Sequence, residues 1–158
     1  MAVTTQHSVY RGILDTLETD LAALIDAAHI YISPVPIFSP TDDQFVQLVP
    51  GSMSPRHPKS GTGLVDEEFR VVVWSRLDVD QYGHSTSRIT SSTLGVLKLV
   101  DTIHLSMLQE VAIGSEPDVV IPVTLVRVSQ MVENAENVGW VMCEITYRTS
   151  YEIAWEVQ

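Results

Sequence analysis

The 158-residue chain sets 20 acidic residues against 9 Lys and Arg, a formal charge of −11. That balance excludes tight sequence-specific nucleic-acid binding, which runs on Lys and Arg that displace counterions from phosphates. A hydrophobic fraction of 45% with 18% charged residues excludes global disorder, and the single cysteine, Cys143, excludes an intramolecular disulfide or a thiolate metal cluster.

The opening MAVTTQHSVYRG has neither the basic nor the apolar region of a secretion signal, so none is expected. The first element is a helix of about Thr5 to Ala28. Val9, Ile13, Leu14, Leu17, Leu21, Leu24, Ile25 and Ala28 recur at three- and four-residue steps, with Asp15, Glu18 and Asp26 opposite. Thr4 or Thr5 is placed to cap it. A short strand, His29 to Ile32, leads into Ser33 to Gly63, which holds six of the eight prolines: Pro34, Pro36, Pro40, Pro50, Pro55 and Pro58. Proline fixes φ and removes a donor, so this stretch is neither helix nor central strand. Within it, Gln44 to Val49 reads as an edge strand ending at Pro50-Gly51. The remainder, Gly51 to Gly63, carries Arg56, His57 and Lys59 and no acid. It reads as a basic arm tip on an acidic body, suited to docking on a neighbouring copy.

Val65 to Asp78 alternates as a strand, with Phe69, Val71 and Val73 on one face and Arg70, Val72, Trp74 and Arg76 on the other. After a polar turn through Gly83, a second helix is expected from about Thr86 to Val111, its stripe formed by Ile89, Val96, Leu97, Val100, Ile103, Met107, Leu108 and Val111. Gly114 to Asp118 breaks the chain. Val119 to Val132 and Gly139 to Val157 then form a long antiparallel hairpin across an acidic turn, with Pro122 marking an edge or bulge. Segregated helices and antiparallel strands define an α+β two-layer sandwich, two helices on a mainly antiparallel sheet of about four to five strands. The chain reads as one domain, 1–158, with an arm-like insertion at about 33–63. No apolar run approaches the roughly 20 residues that a membrane helix needs.

No residue constellation names a reaction. The five histidines, His7, His29, His57, His84 and His104, are scattered; His104 falls in the apolar stripe of the second helix and reads as a hydrogen-bonded core residue. Asp78, Asp80 and His84 sit in a turn, but a calcium loop starting there would need Glu at Ile89. Ser52, Ser54 and Ser60 near His57 lack a placed acid. Gly61, Thr62 and Gly63 lack the Lys-Ser/Thr ending of a phosphate loop. Asp42-Asp43 and Asp66-Glu67-Glu68 read as solvated loop ends. Neither catalytic nor metal residues are assigned, and no cofactor is expected.

The order of elements resembles the tail terminator proteins of long-tailed bacteriophages, also called minor tail or tail-completion proteins. The resemblance lies in the amphipathic helix Val9 to Ala28, the proline-interrupted excursion with Phe45 to Pro50, and the strand Phe69 to Arg76. It continues through the turn with Arg88, the helix Ile89 to Leu108 and the final hairpin. It implies a structural virion protein without enzymatic activity, present in the host cytoplasm during assembly. In such proteins a homo-hexameric ring at the head-proximal end of the tail tube stops polymerisation and meets the head connector, and DNA passes through without specific binding. The partners implied are copies of itself, the tube protein and a head-completion protein. On this resemblance the subunit-interface candidates are Phe45, Leu48, Met53, Arg56, His57, Lys59, Arg70, Trp74 and Arg76; residues lining a DNA lumen are unassigned. A neck adaptor on the portal side, and a small α+β ligand-binding protein or enzyme, are the alternative readings.

Overall fold

The computed structural model describes residues 5–38, 43–59, 62–76, 96–108, 111–112, 120–129, 132–133 and 139–154. The expected turn through Gly83, the first half of the second helix and the break at Gly114 to Asp118 lie outside these residues, as does most of the acidic turn after Glu133.

Helix α1 (Gln6–Asp20) starts where the sequence permits a cap. The Thr5 hydroxyl accepts from the Ser8 amide while the Ser8 hydroxyl accepts from the Thr5 amide, at 3.1 and 2.9 Å. A cap of this kind is worth about 1 kcal/mol. The helix stops eight residues before the expected end at Ala28, with Leu21 as C-cap, and Asp26 then caps a short 3-10 turn at Ala27–His29. The apolar periodicity hides this end because the intervening turns keep Leu21 and Ile25 buried on the same side.

The strands are β1 (Ile30–Ile32), β2 (Gln44–Val49), β3 (Met53–Lys59), β4 (Thr62–Arg76), β5 (Val111–Ala112), β6 (Val120–Ile121), β7 (Val123–Val128), β8 (Val132–Glu133) and β9 (Trp140–Ala154); α2 (Val96–Met107) lies between β4 and β5. The sheet is built on β4 and β9, antiparallel from Thr62↔Ala154 to Arg76↔Trp140. Both β2 and β3 run along the other edge of β4, end to end: β2 against Arg70–Ser75 and β3 against Thr62–Glu67. β1 joins β2 in parallel, and β7 and β8 share the far edge of β9. Among the described residues the sheet therefore has seven strands in five rows, mixed but mainly antiparallel, beside a two-stranded ribbon of β5 and β6. Pro122 separates β6 from β7, and its carbonyl accepts from the Thr149 hydroxyl at 2.7 Å.

Strand alternation sorts the sheet into two faces. Val46, Leu48, Val65, Phe69, Val71, Val73, Cys143, Ile145, Tyr147 and Tyr151 meet Val9, Ile13 and Leu17 of α1 and Leu99, Ile103 and Met107 of α2 in the main core. Each such side chain contributes about 1.5–3 kcal/mol when fully buried. Phe69 stacks on Tyr147 at 5.5 Å and takes Tyr10 edge-on at 6.2 Å.

The Tyr147 hydroxyl is buried with no hydrogen-bond partner among the described residues. Tyr147→Phe is therefore expected to leave stability unchanged or raise it by about 1 kcal/mol, since an unsatisfied buried hydroxyl costs free energy; urea unfolding reads this directly. Burial also pushes the phenols of Tyr10, Tyr147 and Tyr151 above their ordinary 10.0. Their folded values are raised, so the stability they contribute is full below pH 10.0 and is lost as the pH rises beyond it towards those folded values. The urea midpoint should hold up to that pH and fall above it, with a shallower fall in Tyr147→Phe.

Candidate assembly surface

The sheet face turned away from the helices divides into two parts. At one end Phe45, Val49, Val72, Trp74 and Trp140 form a second apolar cluster, covered by Tyr31, Phe38 and Met142. Phe38 meets the Trp74 ring edge-on at 5.2 Å, and Tyr31 stacks on Phe45 at 5.5 Å. Residues 31–38 are held over the sheet by polar contacts. The Tyr31 hydroxyl donates to the Ile37 carbonyl and accepts from its amide, at 3.0 and 3.1 Å. Buried Gln47 donates to the Ser33 carbonyl at 2.9 Å and accepts from Trp74 Nε1 at 3.0 Å.

The other part of this face carries charge. Arg70 and Arg127 reach Glu144 at 2.9 and 3.5 Å, Arg148 pairs with Glu68, and the Ser150 hydroxyl donates to Asp66. These pairs are at least partly exposed, where an ion pair contributes at most about 1 kcal/mol, so they define a polar surface more than they hold the fold. A cleft of about 440 Å³ opens here, lined among others by Ser52, Ser54, Asp66, Glu68 and Arg148.

The base of the proline-rich segment is anchored on the opposite face. Glu67 sits in the middle of β4 and is 1% exposed. Its carboxyl group accepts from Gln6 Nε2, the Tyr10 hydroxyl and the Tyr151 hydroxyl at 2.8, 2.7 and 2.6 Å. The Tyr10 hydroxyl also accepts from the Gly51 amide at 3.2 Å. One buried acid thus ties the start of α1, the end of β9 and the junction between β2 and β3. The expected solvated loop end at Asp66-Glu67-Glu68 is instead mid-strand. The signal was in the parity: Val65, Glu67, Phe69, Val71 and Val73 share one face.

Gly51 crosses β4 at close range. A Cβ there would lie 1.5 Å from the Glu68 carbonyl oxygen, so the chain passes from β2 to β3 only with glycine at this point. Beyond it β3 returns along β4 as a hairpin, with Arg56 opposite Leu64 and Lys59 opposite Thr62 and a register shift that spans His57.

The expected interface residues are thus spread over several environments. Phe45 and Trp74 lie in the second apolar cluster and Leu48 in the main core, all buried within the subunit itself. Met53 packs at the core margin, its sulfur 4.0 Å from the Tyr151 hydroxyl. Arg70 is on the charged half of the outer face, and Arg76 lies over the Trp140 ring at 5.2 Å. Arg56, His57 and Lys59 share the hairpin strand β3 with Met53.

Other chemistry finds less support. A second cleft of about 390 Å³ is lined by Gln6, His7, Tyr10, Arg11, Ile32 and Pro50, but Tyr10 turns to Glu67 and Arg11 pairs with Asp15 at 3.1 Å. Among the described residues no group of three His, Cys, Asp or Glu is placed to hold a metal. Burial pushes the Cys143 thiol up, away from a reactive thiolate. His104, expected with satisfied ring nitrogens, is half-buried and its Nδ1 has no partner among the described residues.

The architecture is thus an α+β sandwich with helices on one sheet face and a hairpin extending the edge of its longest strands. No protein-family model matches the chain, and no curated protein matches it in sequence. Solved structures do. A chain from the virion of a native gene transfer agent particle is similar over 95% of this chain and 94% of its own, with a TM-score of 0.52 at 14% identity. A chain from the sheath/tube terminator of an extracellular contractile injection system, in its extended state, is similar over 99% of this chain with a TM-score of 0.59 at 9% identity. This chain spans 59% of that second chain. At these identities the likeness is one of fold, and it is the fold that the order of elements led us to expect.

Proposed function

We propose that this chain is a structural virion protein that terminates a tail tube, assembling as a hexameric ring at its head-proximal end and meeting the head connector there. The observation that carries this reading is the similarity of nearly the whole chain to a sheath/tube terminator. The hairpin gives it a means of assembly. Arg56, His57 and Lys59 lie on β3 of a chain whose net charge is −11, so the basic hairpin of one subunit docks on the acidic body of the next. DNA passes the ring without specific binding, because an acidic body repels the polymer. No catalysis is assigned to it, and its place is the virion, with assembly in the host cytoplasm.

Paired reversal of the hairpin charges, Arg56→Glu with Lys59→Glu, tests this role. The variant should keep the urea midpoint of the parent, while rings on tail tubes, imaged by electron microscopy, are lost. Unchanged ring formation would remove the hairpin from the interface. Binding to purified connector but not to tube would favour the neck adaptor instead.

A further inference from the structure

Among the described residues, α2 and β7 each carry a group of exposed large apolar side chains. On α2, Leu97, Leu105 and Leu108 are 47%, 65% and 56% exposed. With Asp101 they fall at i, i+4, i+8 and i+11, a single stripe. The buried residues of the same helix, Val96, Leu99, Ile103 and Met107, occupy the opposite side, so the stripe points away from the sheet. Asp101 is exposed in the middle of it and has no partner among the described residues; Lys98 is exposed at its margin. On β7, Leu125, Val126 and Val128 are 40%, 46% and 45% exposed, and Arg127 stands among them. The β7 edge away from β9 pairs with no described strand. Clusters of exposed large apolar side chains on one chain mark interaction surfaces.

We propose that the α2 stripe is the docking face for the β7 edge of a second copy of this chain, with Asp101 of one copy paired to Arg127 of the other. The charge pattern selects the occupant: a lone acid among leucines on one surface matches a cation among aliphatic residues on the other. The two surfaces are different patches, one on the outer side of a helix and one at a sheet edge. The contact is therefore heterologous, and repetition around an axis closes it into a ring. This rests on the ring reading above and adds to it a contact independent of the β3 hairpin. Arg127 reaches Glu144 of its own chain at 3.5 Å, and it remains exposed enough to turn outward.

Charge exchange tests it on the full chain, by sedimentation over a concentration series and by ring counts on tail tubes. Asp101→Lys and Arg127→Glu should each weaken self-association about tenfold or more, and the double variant should recover to within about threefold of the parent. Leu105→Glu should weaken it comparably while its urea midpoint holds. Two weakened single variants with no recovery in the double variant would overturn the pairing. So would a ring indifferent to Asp101→Lys and Leu105→Glu, which leaves the terminator reading intact. Stability lost with association unchanged would assign the stripe to other residues of the same chain. A parent chain that never self-associates, alone or on tubes, would overturn this inference and the ring reading together.

Discussion

Glu67→Ala is expected to lower unfolding stability by about 3–5 kcal/mol, from the loss of an acceptor shared by buried donors and the cavity that replaces it. The substitution leaves the buried hydroxyls of Tyr10 and Tyr151 without their carboxyl partner; Gln6, only partly buried, can turn to solvent. Glu67→Gln keeps the shape and one acceptor oxygen, and should cost about half as much. Tyr151→Phe combined with Glu67→Ala should cost less than the two separately, because both act on one hydrogen-bonded unit. Urea unfolding of the four variants measures this. Strict additivity would show that Glu67 and Tyr151 do not share an energetic contact.

The consequence extends past stability. Met53 pairs with Glu67 across the first rung between β3 and β4, and Gly51 donates to Tyr10, which donates to Glu67. A buried polar network of this kind fixes one arrangement among several that apolar packing would allow. In this protein that arrangement is the entry of β3 onto the edge of β4. The apolar triple variant Glu67→Leu, Tyr10→Phe and Tyr151→Phe should regain much of the lost stability while still forming fewer rings than the parent.

Gly51→Ala is the second large effect, at least about 3 kcal/mol, the range for overpacking that backbone movement cannot relieve. The added methyl would meet a carbonyl oxygen at 1.5 Å and its carbon at 2.6 Å. These are backbone atoms of β4, not the movable end of a side chain. Either β2 or β3 must leave the edge of β4, and β2 carries Phe45, Val46 and Leu48 into both apolar clusters. β3, of which Met53 is the residue packed against the main core, is expected to yield. Amide hydrogen exchange should then show protection lost along Met53–Lys59 and kept along Gln44–Val49. Loss in both strands together would mean that they unfold as one unit.

Much of the architecture was legible because it rests on periodicity. β2 was read at Gln44 to Val49 and is Gln44–Val49, but it is not the edge strand expected, because β1 pairs along its outer side and β4 along its inner one. The alternation of Phe69, Val71 and Val73 against Arg70, Val72 and Trp74 placed the two faces of β4 correctly. Three features were less legible. The end of α1 was overrun because Leu21 and Ile25 stay in phase beyond it. Glu67 was misread because its chemistry outweighed its parity; only Tyr10 and Tyr151, distant in sequence, make its burial tolerable. The proline-rich segment was read as an arm without strand structure in its tip. Pro55 and Pro58 lie within β3, an outer strand of the sheet, where a missing amide does not break a ladder on both sides. Phe45 and Trp74 were offered as interface residues because a strand face of unknown cover exposes whatever it carries. The cover is Phe38 and Tyr31, brought back across the sheet by residues 31–38, a path no local pattern predicts.

Electron microscopy of tail tubes grown in the presence of the full-length chain tests the proposed role most directly. One ring of added density at a single end of each tube, with growth arrested there, is the expected result, and the Arg56→Glu, Lys59→Glu variant should abolish it. Tubes that elongate unhindered while the chain stays unbound would contradict it.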